Sequence, residues 1–151
     1  MTTANPGHRE RPCARCPWRR DVDVNGFSDA DMRKLAQADG APGAEAGLDA
    51  PQMACHLDQP ETAYPLRLCA GWLAVVGRHH LPTRLAVLAG RLPAHALDPG
   101  PGWPALWCSL REMLALRRPG SPPAAHPAPH GAPHRERQHT STRHRTDIDG
   151  M

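Results

Sequence analysis

Cys13-Ala14-Arg15-Cys16-Pro17-Trp18-Arg19-Arg20-Asp21 is the stretch on which the reading of this chain turns. Two residues between cysteines let both sulfurs reach one ion from a tight turn, with backbone amides left over to face them. Outward from it, Cys55 lies in Gln52-Met53-Ala54-Cys55-His56 and Cys69 opens the run Cys69-Ala70-Gly71-Trp72-Leu73. The pattern C-x2-C-x38-C-x13-C is looser than the doubled C-x2-C of a zinc ribbon. It predicts a metal held by Cys13, Cys16, Cys55 and Cys69. Adjacent side chains in extended backbone point apart, so Cys55 and His56 do not readily share an ion. His56 is therefore expected to support the site through its ring N–H, with three cysteines plus His56 as the competing ligand set. Zinc is the expected cofactor, because tetrahedral structural sites impose few spacing rules. An iron–sulfur cluster is the alternative: Cys16-Pro17 is similar to the Cys-Pro that follows cluster ligands, but the rest of the ferredoxin run is absent. A thioredoxin-like dithiol would want a strand before the motif and a helix opening at it, and His8–Pro12 does not read as a strand.

The remainder of the 151 residues explains why such a staple is needed. There are six aromatic residues, four of them Trp, and a core this thin commonly leans on a metal or a disulfide. Residues 1–10 are polar and broken by Pro6 and Gly7, the pattern of a flexible leader. Residues 119–151 contain one Ile and no Leu, Val, Phe, Tyr or Trp, and 18 of the 33 are Pro, His, Arg or Gly. That composition predicts a disordered Pro/His/Arg-rich tail, with the cysteine-rich metal-binding domain confined to residues 11–118. The net charge of +3 is too mild to argue for nucleic acid by itself. No apolar signal region opens the chain, and the apolar run at residues 70–76 is too short to span a bilayer. The expectation is a cytoplasmic chain without membrane contact, where cysteines serve as ligands more often than as disulfides.

The fold class expected is a small mostly-α domain with irregular metal-binding loops. Ser28 caps a helix reaching Ala38, with Asp31 closing a capping box and Phe27 stapling onto Met32. Ala70–Val76 reads as a buried helix ended by Gly77. Thr83 caps a further helix over 84–92 that presents Leu85, Leu88 and Leu92 to the core. Pro104 starts a last helix running to Arg118, with Trp103, Trp107, Leu110 and Leu114 at helical spacing and Cys108 as a partly buried spare thiol. Trp18 and Trp72 are expected to pack over the metal and exclude water. Arg15, Arg19, Arg20 and Arg67 screen a negative thiolate centre or, in the sharper reading, touch phosphate. His79-His80 carries no role in this reading.

The residues R-P-C-x-x-C-P-W-R-R-D, then M-A-C-H, then C-A-G-W-L resemble an uncharacterised family of small actinobacterial and phage proteins known only as a domain of unknown function. The likeness is carried by Cys13, Cys16, Pro17, Trp18, Arg19, Asp21, Phe27, Met53, Cys55, His56, Cys69, Ala70, Gly71 and Trp72, and runs from about Arg11 to Leu92. It implies a shared cysteine–histidine site and brings no activity with it.

Three functions fit. The first is a small zinc-stabilised interaction module whose partner, nucleic acid or protein, stays open. The second is an iron–sulfur redox or sensing protein. The third is an enzyme using Cys55, His56 or a metal-bound water, against which stands the lack of paired carboxylates, of an HExxH helix and of a nucleophile elbow.

Overall fold

The computed structural model describes residues 7–58, 66–118 and 120. Four short helices carry the fold: α1 (Asp29–Gln37), α2 (Ala70–Val75), α3 (Leu81–Leu88) and α4 (Leu110–Ala115). Single 3-10 turns at Val24–Gly26, Gly77–His79 and Ala94–Leu97 join them. Among the described residues β pairing is limited to isolated bridges. None of the described helices is long and apolar enough to cross a membrane.

Helix α1 starts as its sequence requires. The Ser28 hydroxyl accepts from the Asp31 amide at 3.1 Å, while the Asp31 carboxylate accepts from the Ser28 amide at 3.0 Å. Two orphan donors of the first turn are thereby satisfied reciprocally. Met32 and Leu35 turn inward. At the other end, the Trp72 indole N–H donates 2.9 Å to the carbonyl of Ala38, so α2 closes the C-terminus of α1.

Three elements differ from the sequence expectation. Helix α3 begins at Leu81 rather than Arg84, and its cap is His80, not Thr83. The His80 ring is fully buried: Nδ1 accepts from the Thr83 amide at 3.4 Å and lies 3.0 Å from the Thr83 hydroxyl, while Nε2 lies 3.1 Å from the Pro51 carbonyl. That pairing fixes the tautomer, with the proton on Nε2. Its edge rests on Trp72 at 4.9 Å between ring centroids. The inward face differs as well: Thr83 is buried, Ala86 and Val87 pack on the core, and Leu88 is left 82% exposed.

The last helix is also much shorter than the span 104–118. Backbone pairing wins at Trp103–Trp107: the Arg20 amide donates to Ala105 and the Trp107 amide to Trp18, both at 2.9 Å, around a bridge between Arg19 and Leu106. A chain paired in that way cannot also be helical, and Ser109 supplies the cap for α4 by accepting from the Glu112 amide at 3.1 Å. Cys108 is exposed at this junction rather than partly buried.

The part of the expected leader that is described, residues 7–10, lies against the body: Leu68 donates to the Gly7 carbonyl at 3.1 Å and accepts from the Arg9 amide at 2.9 Å. The tail at 119–151 lies outside the described residues apart from Gly120. The core itself gathers Trp18, Trp72, Leu73, Val76 and Met113 around the cysteines. Each fully buried Trp removes 150–250 Å² from water, roughly 4–6 kcal/mol of gross burial.

Candidate metal centre

Two local structures deliver the thiols. The first is the knuckle, where the Cys16 amide donates 3.1 Å to the Cys13 carbonyl and the Arg19 amide donates 3.1 Å to the Cys16 carbonyl. Both sulfurs thus face the inside of a double turn. The second is a pair of antiparallel segments bridged at Ala54 and Leu68. Cys55 donates to the Arg67 carbonyl at 2.8 Å and Cys69 to the Met53 carbonyl at 2.9 Å, which sets the two residues side by side. Cys69 is then the residue preceding α2, with Leu73 donating back to its carbonyl at 3.0 Å.

The structure brings all four cysteines together. Cys16 and Cys69 have sulfurs 3.6 Å apart, and the Cys13 sulfur accepts from both Cys16 and Cys55. All four side chains are buried and none is in a disulfide. Each sulfur also receives an amide from just ahead in the chain: Arg15 for Cys13, Trp18 for Cys16, Leu57 for Cys55, and Trp72 with Gly71 for Cys69. Such bonds favour the thiolate form.

Four thiols this close share their protons. Hydrogen bonding with Cys16 and Cys55 holds Cys13 below the ordinary thiol range, and the contact with Cys16 does the same for Cys69. Cys16 is pushed up by its contacts with Cys13 and Cys69 and by burial, and Cys55 by its contact with Cys13 and by burial. Cysteines bind a metal as thiolates, so a cation taken up here would displace the thiol protons.

His56 stands at the rim. Its ring nitrogen and the sulfurs of Cys13 and Cys55 all lie within 4.8 Å of one another, a group able to hold a metal ion. The residue is exposed, its ring meets Phe27 edge-on at 6.1 Å, and partial burial lowers its pKa. Beside it opens a cleft of about 560 Å³ whose lining includes Arg15, Phe27, Lys34, Met53, Cys55 and His56.

Three supports went unassigned in the sequence reading. Gly71 touches the centre so closely that a Cβ there would sit 2.6 Å from the Cys16 sulfur and 3.0 Å from the Cβ of Trp18. Asp58, with a side chain 2% exposed, bonds Arg9 at 2.7 Å and takes three bonds from Arg67, at 3.2 Å from its amide and at 3.0 and 2.9 Å from its guanidinium. The carboxylate thereby ties residue 9, the Cys55 turn and the approach to Cys69 into one block, and the arginines hold its pKa low. His80 is the third. Only the Gly71-Trp72 pairing of a residue without a side chain beside one with the largest gave any signal for these.

The basic residues near the ligands have partners within the protein. Arg19 forms a bidentate pair with Asp21 and donates to the Cys13 carbonyl. Arg20 bonds Glu112 and the Leu106 carbonyl and lies over the Trp107 ring at 4.9 Å. Trp18 and Trp72 are both fully buried beside the cysteines.

A family model described as "Family of unknown function (DUF6283)" matches residues 8–130. No curated protein and no solved structure matches the chain.

Proposed function

The chain belongs to this DUF6283 family of unknown function, and from that premise we propose a function on the strength of the centre alone: a small zinc-stabilised binding module. In this reading Cys13, Cys16, Cys55 and Cys69 hold one Zn²⁺, and the metal is structural. One observation carries the proposal, the close contact of the Cys16 and Cys69 sulfurs. Ligands on a single zinc at 2.3 Å in a tetrahedron stand about 3.8 Å apart, and Cys16 and Cys69 are 3.6 Å apart before any ion is considered. A four-iron cluster spreads its cysteines further, since each binds a different corner, whereas a two-iron cluster also pairs two thiolates on one iron. Zinc is preferred here because tetrahedral structural sites impose few spacing rules. The amide donors to all four sulfurs supply the surroundings that a four-thiolate charge requires. Binding is assigned to the cleft beside His56, where Arg15, Lys34 and Met53 offer charge and apolar surface to a partner.

Elemental analysis of the purified full chain tests it, together with Cys16→Ser and His56→Ala. A colourless protein with one zinc per chain is expected. Cys16→Ser is expected to lose the metal and most of the fold, because here binding energy is folding energy. His56→Ala is expected to retain it, with affinity lowered by at most about a hundredfold. Brown protein carrying iron and sulfide would replace this reading with the redox one. Metal lost in His56→Ala but kept in Cys55→Ser would make the ligands three cysteines and His56, with Cys55 a free thiol beside a cation, and would favour an enzyme.

A further inference from the structure

A second group of metal-binding side chains lies apart from the cysteines. His8 and Glu10 are two residues apart on the segment that pairs with Leu68, so in extended backbone their side chains leave the same face. Opposite them, the turn Ala94–Leu97 presents His95. Donor atoms of His8, Glu10 and His95 all lie within 4.8 Å of one another. The His8 Nε2 and a Glu10 carboxylate oxygen are 3.7 Å apart, and the two imidazoles meet edge-on at 6.0 Å between centroids. The three side chains line a cleft of about 470 Å³, whose lining also includes Trp103.

We propose that His8, Glu10 and His95 form a second divalent-cation site whose remaining coordination positions face this cleft. It stands independently of what the four cysteines hold. Two imidazoles and one carboxylate suit a borderline transition-metal cation such as Zn²⁺, Co²⁺ or Ni²⁺, and not Mg²⁺ or Ca²⁺, which take oxygen donors. An ion with bonds of about 2.1 Å holds tetrahedral donors about 3.4 Å apart. The His8–Glu10 pair is already near that distance, and the exposed side chains of Glu10 and His95 can close the rest by rotation. His8 is the fixed element, its side chain 12% exposed and its backbone held on both sides by Leu68. The arginines of the cleft point their charge elsewhere: Arg9 bonds Asp58, and Arg11 donates 2.8 Å to the Gly102 carbonyl. Two ligands from one extended segment and one from a distant turn would cross-link residues 8–10 to 95.

The test uses the full chain with His126, His130, His134, His139 and His144 replaced by Asn, so that these five cannot compete. Co²⁺ is the probe, because thiolate coordination gives intense sulfur-to-metal charge transfer and imidazole–carboxylate coordination does not. A second equivalent of Co²⁺ is expected, with weak visible bands and no added thiolate absorption. His95→Ala and Glu10→Gln, both at exposed positions, are expected to weaken that equivalent alone by on the order of a hundredfold, at least what losing mere outer support of a metal costs. Unchanged circular dichroism in these two variants ties the loss to the ligands. Absence of any equivalent with those weak bands, or its indifference to both substitutions, would overturn the proposal.

Discussion

At residue 71 the absence of a side chain matters more than any contact. Alanine is the better helix former there by about 1 kcal/mol, yet its Cβ would meet the Cys16 sulfur at 2.6 Å inside a packed centre. Overpacking wins: Gly71→Ala is expected to cost about 1–3 kcal/mol by chemical denaturation and to weaken metal retention. His80 makes the opposite point, that a buried polar ring can be the right residue. Burial lowers its pKa, and the neutral ring is the form that accepts from Thr83 and donates to Pro51. An unfolded chain takes up the proton near pH 6.5, and the folded one resists it, so the stability that His80 contributes is present above that pH and is lost as pH falls below it. His80→Asn keeps a capping acceptor and does not titrate. Its stability deficit relative to the native chain is therefore expected to shrink between pH 7 and pH 5, measured as paired urea titrations. That the four cysteines would converge was legible because thiols so spaced have few other uses. His80, Gly71 and Asp58 were not, since what they do depends on neighbours far away in sequence.

Elements with local signals formed where those signals stood. The Ser28–Asp31 box starts α1 because both halves lie within four residues. Helical spacing failed where distant backbone outcompeted it: Trp103 and Trp107 recur like core positions of a helix, but residues 105 and 107 pair with the knuckle instead. Of the expected inner leucines, Leu92 is in the core, while Leu85 and Leu88 are exposed and Ala86 and Val87 pack against it instead. The segments around Cys55 and Cys69 are held in register by Asp58, whose carboxylate is their common anchor. Asp58→Asn removes the charge that Arg9 and Arg67 bond. It is expected to cost on the order of 2 kcal/mol, read as a lower denaturation midpoint.

For the whole molecule, the scarcity of aromatic residues led to the expectation of a staple, and the described core includes Cys13, Cys16, Cys55 and Cys69 among its buried residues. Where that body ends is open to a direct measurement. A chain cut after residue 118 is expected to keep its helical circular dichroism and its metal content, because the residues removed are too poor in apolar side chains to add to a core. Since the family match reaches residue 130, a second chain cut there serves as the comparison, and a loss confined to the shorter one would move the boundary. The pairing of residue 19 with residue 106 has a further consequence, one of timing. Chains leave the ribosome at roughly 5–20 residues per second, so the knuckle emerges about 4–17 s before the segment that seals it. Throughout that interval Cys13 and Cys16 are reachable by chaperones, oxidants and metal carriers alike, and the centre is assembled in an order set by translation.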